Sequence, residues 1–84
     1  MESINLTDFR RIKKMNLGYT KISDDNLEEL AKKLTNLEEL CLKGCLQLKY
    51  VNLIGCKNIK KLNLGFTKIE DNNLEQLIKE LPNL

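Results

Sequence analysis

The sequence predicts an α/β solenoid, and three observations carry that prediction. Shifted by 47 residues, the chain overlaps itself over 37 positions and is identical at 20 of them, which is a tandem repeat. Each repeated block opens with apolar residues alternating with polar ones, as at Met15/Leu17 and Leu62/Leu64, the period of a half-buried strand. The block then switches to helical spacing, with Leu27, Leu30, Ala31 and Leu34 in one copy and Leu74, Leu77, Ile78 and Leu81 in the other.

The elements follow in order from one apolar triplet. It recurs as Met1/Ile4/Leu6, Ile12/Met15/Leu17, Leu37/Leu40/Leu42, Leu48/Val51/Leu53 and Ile59/Leu62/Leu64, with starts 11, 25, 11 and 11 residues apart. Leu84, 25 residues beyond the last start, opens a further triplet. The chain therefore reads as a single domain over 1–84: a partial coil at 1–11, coils at 12–36, 37–58 and 59–83, and a truncated coil beginning at 84. The 25-residue coils are strand, turn, helix, turn. The 22-residue coil is LEELCLKGCLQ followed by LKYVNLIGCKN, a strand and a second extended piece, because eleven extended residues span only about 35 Å and cannot return on themselves. Asp25 with Glu28, and Asn72 with Glu75, stand at capping-box spacing for the two helix starts, and Pro82 stops the second helix.

Composition narrows the class. A chain of 84 residues holds one small domain that buries about 60% of its unfolded surface. Hydrophobic residues make up 42% and aromatics 5%, without Trp or His, so the expected core is aliphatic. Fourteen basic and twelve acidic side chains leave +2, a balance that does not announce nucleic acid or a membrane surface. The start, MESINLTDFRR, lacks the charged and apolar runs of a leader, and no stretch approaches the ~20 apolar residues of a membrane span. A soluble, intracellular, cytoplasmic protein is expected. Three cysteines, an odd number, fit thiols in a reducing compartment better than disulfides.

At LEELCLKGC and LKYVNLIGC the chain resembles the leucine-rich repeat family, whose LxxLxLxx(N/C)x(I/L) signature runs through essentially all of it. The 25-residue unit resembles the cysteine-containing subtype of F-box adaptors. The stretch KISDDNLEELAKKL is similar to that subtype's ITDxGLxxLAxxC, although Lys33 and Leu34 bring no cysteine. The LxLxGCxxL wording of residues 40–48 is similar to repeats of plant immune receptors and some bacterial effectors. The resemblance implies parallel strands lining a concave face, protein binding rather than catalysis, and an inward turn-capping role for Cys45 and Cys56.

Alternation along the strands aims Lys14, Asn16, Glu39, Cys41, Lys43, Lys61 and Asn63 outward on that face, with Tyr19, Lys21, Phe66 and Lys68 just beyond. Any open parallel sheet is polar there, so the aromatics are what mark the surface. Tyr19 and Phe66, 47 residues apart with lysines around them, suit an acidic or mixed-charge protein segment. Stacking of single-stranded nucleic acid on two aromatics is a weaker fit at this net charge. Cys41 is an exposed thiol candidate among lysines, but a nucleophile needs a base and the chain has no histidine. Scattered thiols make a poor zinc set, so no metal and no cofactor are expected.

The ends carry the second expectation. Met1, Ile4 and Leu6 begin as repeat and Leu84 stops as repeat, without the polar caps that repeat arrays need. The first function expected is therefore a non-catalytic protein-binding module using the concave strand face. The alternative is a structural or assembly element that forms a homodimer or longer array through uncapped solenoid ends.

Overall fold

The computed structural model describes residues 10–53 and 55–84. Its elements run β1 (Lys14–Asn16), α1 (Asp24–Ala31), β2 (Glu39–Cys41), β3 (Lys61–Asn63) and α2 (Asp71–Glu80). The strands form one parallel sheet in the order β1-β2-β3, with Met15, Leu40 and Leu62 in register. The ladder continues past the strands, since the Tyr19 N–H donates to the Lys43 carbonyl and the Gly44 N–H to the Gly65 carbonyl, both at 2.8 Å.

The alternation that predicts strands is met at each of the three, where only the central residue points to the core. That core is aliphatic: Leu27, Leu34, Leu37, Leu42, Leu48, Leu53, Ile59, Leu77 and Leu81 are buried, with Val51, Cys45 and Cys56 between them. Residues 48–53 return beside the helices without joining a ladder, and bury Leu48, Val51 and Leu53 as the triplet predicts.

The expected solenoid with a 47-residue tandem period is not what forms. Three short parallel strands and two helices share one continuous core, in a chain too small to stack a 47-residue unit repeatedly. The radius of gyration, 12.5 Å, is close to the roughly 12 Å of a compact domain of this length. A solenoid needs about three or more stacked repeats to propagate. Here the 47-residue interval occurs once, and the self-similarity instead makes β3 and α2 a second copy of β1 and α1 on the other side of β2.

Helix starts also differ from the capping-box reading. Ser23 is the N-cap of α1, accepting from the Asn26 amide at 3.2 Å, so Asp25 lies inside the first turn. Glu70 precedes α2 without a side-chain cap bond, and Asn72 is likewise internal. The copies part at one further place. Ala31 is buried against the segment carrying Gly55 and Cys56, whereas its counterpart Ile78 is 66% exposed on the outer side of α2. The expected α2 stripe thus loses one of its four members.

Candidate functional site

A groove of about 490 Å³ runs across the outward face of the sheet. It is lined by Lys14, Met15 and Asn16, by Glu39, Leu40 and Cys41, and by Lys61, Leu62 and Asn63. The sheet register alone brings these residues together from three distant stretches. Lys14 pairs with Glu39 at 3.7 Å across neighbouring strands. The Oδ1 atoms of Asn16 and Asn63 accept from the amides of Gly18 and Gly65 at 2.8 and 2.9 Å, so both asparagines shape the turns that follow as well as lining the groove. Cys41, expected as an exposed thiol between them, is half-buried.

The turns after the strands form the trailing rim of the groove. Each closes with an amide donating three residues back: Thr20 to Leu17, Cys45 to Leu42 and Thr67 to Leu64. Tyr19, Gly44 and Phe66 occupy one matched position and all take the left-handed conformation, at φ 60°, 75° and 58°. Glycine adopts it freely, but for a bulky side chain it costs about 1–3 kcal/mol. Tyr19 and Phe66 are nevertheless 72% and 75% exposed, so no core contact offsets that cost. The Tyr19 ring lies over Gly44, where an added Cβ would stand 2.4 Å from the ring. The Lys43 Nζ sits 5.6 Å from the centre of the Phe66 ring.

One member of this rim, and the one-sided charge of its turns, escaped the sequence reading. Leu46 occupies the position matching Lys21 and Lys68 and is 59% exposed. Residues 16–22, 41–47 and 63–69 together contain three lysines and no carboxylate. Aligning the three turns by their shared glycine or aromatic position would have found both features.

The other cysteines are tied into the fold. Cys45 Sγ donates to the Leu17 carbonyl at 3.0 Å, and Cys56 Sγ lies 3.3 Å from the Ala31 and Leu34 carbonyls. Burial pushes the Cys56 thiol up to about 11. Among the described residues, no cluster of three or more His, Cys, Asp or Glu side chains stands ready for a metal. Met1, Ile4 and Leu6 lie outside the described residues. Leu84 is exposed at the end of the turn in which its amide donates to Leu81 at 3.1 Å.

No family model, curated protein or solved structure matches the chain. No helix among the described residues is long and apolar enough to cross a membrane.

Proposed function

We propose that this protein is a non-catalytic protein-binding module that takes an acidic or mixed-charge segment of a partner across its strand face. The single observation that carries the reading is the pair Tyr19 and Phe66. Both are large, exposed and held in a backbone conformation that glycine fills at the matched position 44. A position that costs stability and contributes nothing to the core is accounted for by contact with something else. Lys43 beside the Phe66 ring, and Lys21 and Lys68 two residues beyond Tyr19 and Phe66, supply charge for carboxylates, and Lys14 and Lys61 do so within the groove. Chemistry at the buried Cys56 thiol is disfavoured, since a raised pKa is the opposite of what a nucleophile needs. Kinship with leucine-rich repeat proteins belongs to the same proposal and rests on the LxxLxL wording.

The test is anisotropy with a panel of fluorescein-labelled acidic and mixed-charge peptides. Lys14→Glu/Lys61→Glu and Tyr19→Gly/Phe66→Gly should each remove binding, with the circular dichroism spectrum and solution mass unchanged. Full binding by both variants refutes the strand-face reading. Assembly between copies is the second reading, favoured by exposed Ile78 and by the outer edge of β3. Light scattering over a hundredfold concentration range decides it, because a constant 9.7 kDa monomer excludes it.

A further inference from the structure

The leading rim of the groove, where the chain comes into each strand, carries its own charge pattern. Arg10, Arg11, Lys13 and Lys14 precede or open β1, Glu38 and Glu39 stand at β2, and Lys57, Lys60 and Lys61 lead into β3. Seven basic and two acidic side chains give this rim +5 in a chain whose total is +2, so the remainder of the chain is −3. The seven basic side chains are exposed, which leaves most of that charge in solvent.

The order of the charges is as informative as their number. Glu38 N–H donates to the Lys13 carbonyl and Lys60 N–H to the Glu38 carbonyl, both at 2.7 Å, so Lys13, Glu38 and Lys60 are consecutive across the sheet. One residue further in, the register sets Lys14, Glu39 and Lys61 in the same plus, minus, plus order. The backbone beneath is tied down on both outer strands. Asn36 Nδ2 donates to the Arg10 carbonyl at 2.9 Å and Asn83 Nδ2 to the Lys57 carbonyl at 3.2 Å. Alternating sign across strands also steadies the sheet itself, but that role needs as many acids as bases, and the rim has five cations in excess.

We propose that this rim docks a mixed-charge protein segment that crosses the strands with carboxylates over β1 and β3 and a basic or neutral side chain over Glu38. The inference rests on the strand-face reading and adds where the segment sits and how its charges are ordered. Neighbouring strands are about 4.8 Å apart, so the outer lysines are separated by roughly 10 Å, or three residues of an extended peptide. Acids at positions i and i+3 with lysine between them match that step. A nucleic-acid backbone is negative at every step and meets Glu38 and Glu39 in mid-crossing, which disfavours it.

The experiment compares three labelled probes on the whole chain at low salt: the peptides DEKKDE and EEEEEE and a twelve-nucleotide oligothymidylate. Net attraction alone favours the two more negative probes. The charge order instead requires DEKKDE to bind about tenfold tighter than EEEEEE, and Lys13→Gln/Lys60→Gln to weaken DEKKDE by about tenfold. Glu38→Lys should invert the preference between the peptides. Preference for EEEEEE or the oligonucleotide overturns the proposal and makes the rim an unselective polyanion surface. Loss of binding in Lys14→Glu/Lys61→Glu but not in Lys13→Gln/Lys60→Gln leaves the strand-face reading standing and this inference refuted. Indifference to both refutes both. The peptide ranking needs no variant, so it decides the matter even if a substituted chain fails to fold.

Discussion

Replacing Asn73 by alanine tests the packing at its most specific polar contact. Asn73 is 5% exposed and its side-chain amide clasps the backbone of Val51, accepting from the Val51 amide at 2.6 Å and donating to its carbonyl at 3.0 Å. Each bond is worth about 0.5–1.5 kcal/mol net, and each orphaned buried partner costs about 1–3 kcal/mol when water does not replace it. A loss of roughly 2–4 kcal/mol is expected, a large part of the about 4–13 kcal/mol that 84 residues usually command. The chain carries its own comparison in Asn26, the counterpart 47 residues earlier, which is exposed and, among the described residues, bonds to Ser23 at its own helix start. Asn26→Ala should cost no more than about 0.5 kcal/mol. Urea unfolding followed by far-UV circular dichroism separates them. At a slope of about 1 kcal/mol per molar the Asn73 variant loses about 2 M or more of its midpoint. Equal shifts for the two variants, or a loss below about 0.5 kcal/mol at Asn73, would show that the clasp does not hold residues 49–53 in place.

Three further outcomes follow from the rim and the buried thiol. Tyr19→Gly/Phe66→Gly should raise stability by about 1 kcal/mol or more, because relief of two left-handed side chains outweighs the added chain entropy, and the same denaturation assay reads it. Gly44→Ala should destabilise by about 1–2 kcal/mol from its φ of 75° and further from collision with the Tyr19 ring, and a double-mutant cycle with Tyr19→Ala recovers the second part alone. The folded Cys56 thiol keeps its proton up to about pH 11 while the unfolded one releases it near 9.0. Its contribution is therefore complete below pH 9 and lost between 9 and 11 at up to about 1.4 kcal/mol per unit, a loss that Cys56→Ala should abolish in urea midpoints taken at pH 8 and pH 10.5.

Much of the local structure is legible in the residues. Alternation at Met15/Leu17 and Leu62/Leu64 marks the strand segments, and leucine spacing at 27 and 30 marks a helix face, with buried Leu34 just past the end of α1, because side-chain period follows backbone geometry. The groove residues are legible for the same reason, since outward alternation selects Lys14, Asn16, Glu39, Cys41, Lys61 and Asn63. Helix starts are less so: Ser23 and Asp25 both suit a cap, and only the course of the chain into α1 chooses Ser23. The leading rim is scattered over three stretches of sequence and becomes one patch only through the strand pairing.

Equivalence between the repeated halves holds in sequence and fails in environment. Asn26 and Asn73, or Ala31 and Ile78, are matched in sequence and opposite in burial. Element type is a property of a segment's own backbone and spacing, so the residues by themselves determined the strands, the helices and their apolar faces. Burial depends on what lies across the sheet. Asn73 faces Val51 and Ala31 faces residues 55–56, while Ile78 faces solvent. Only the tertiary structure decided that the self-similar chain closes as one three-stranded unit around a single core, because one 47-residue interval gives each repeated element a different neighbour.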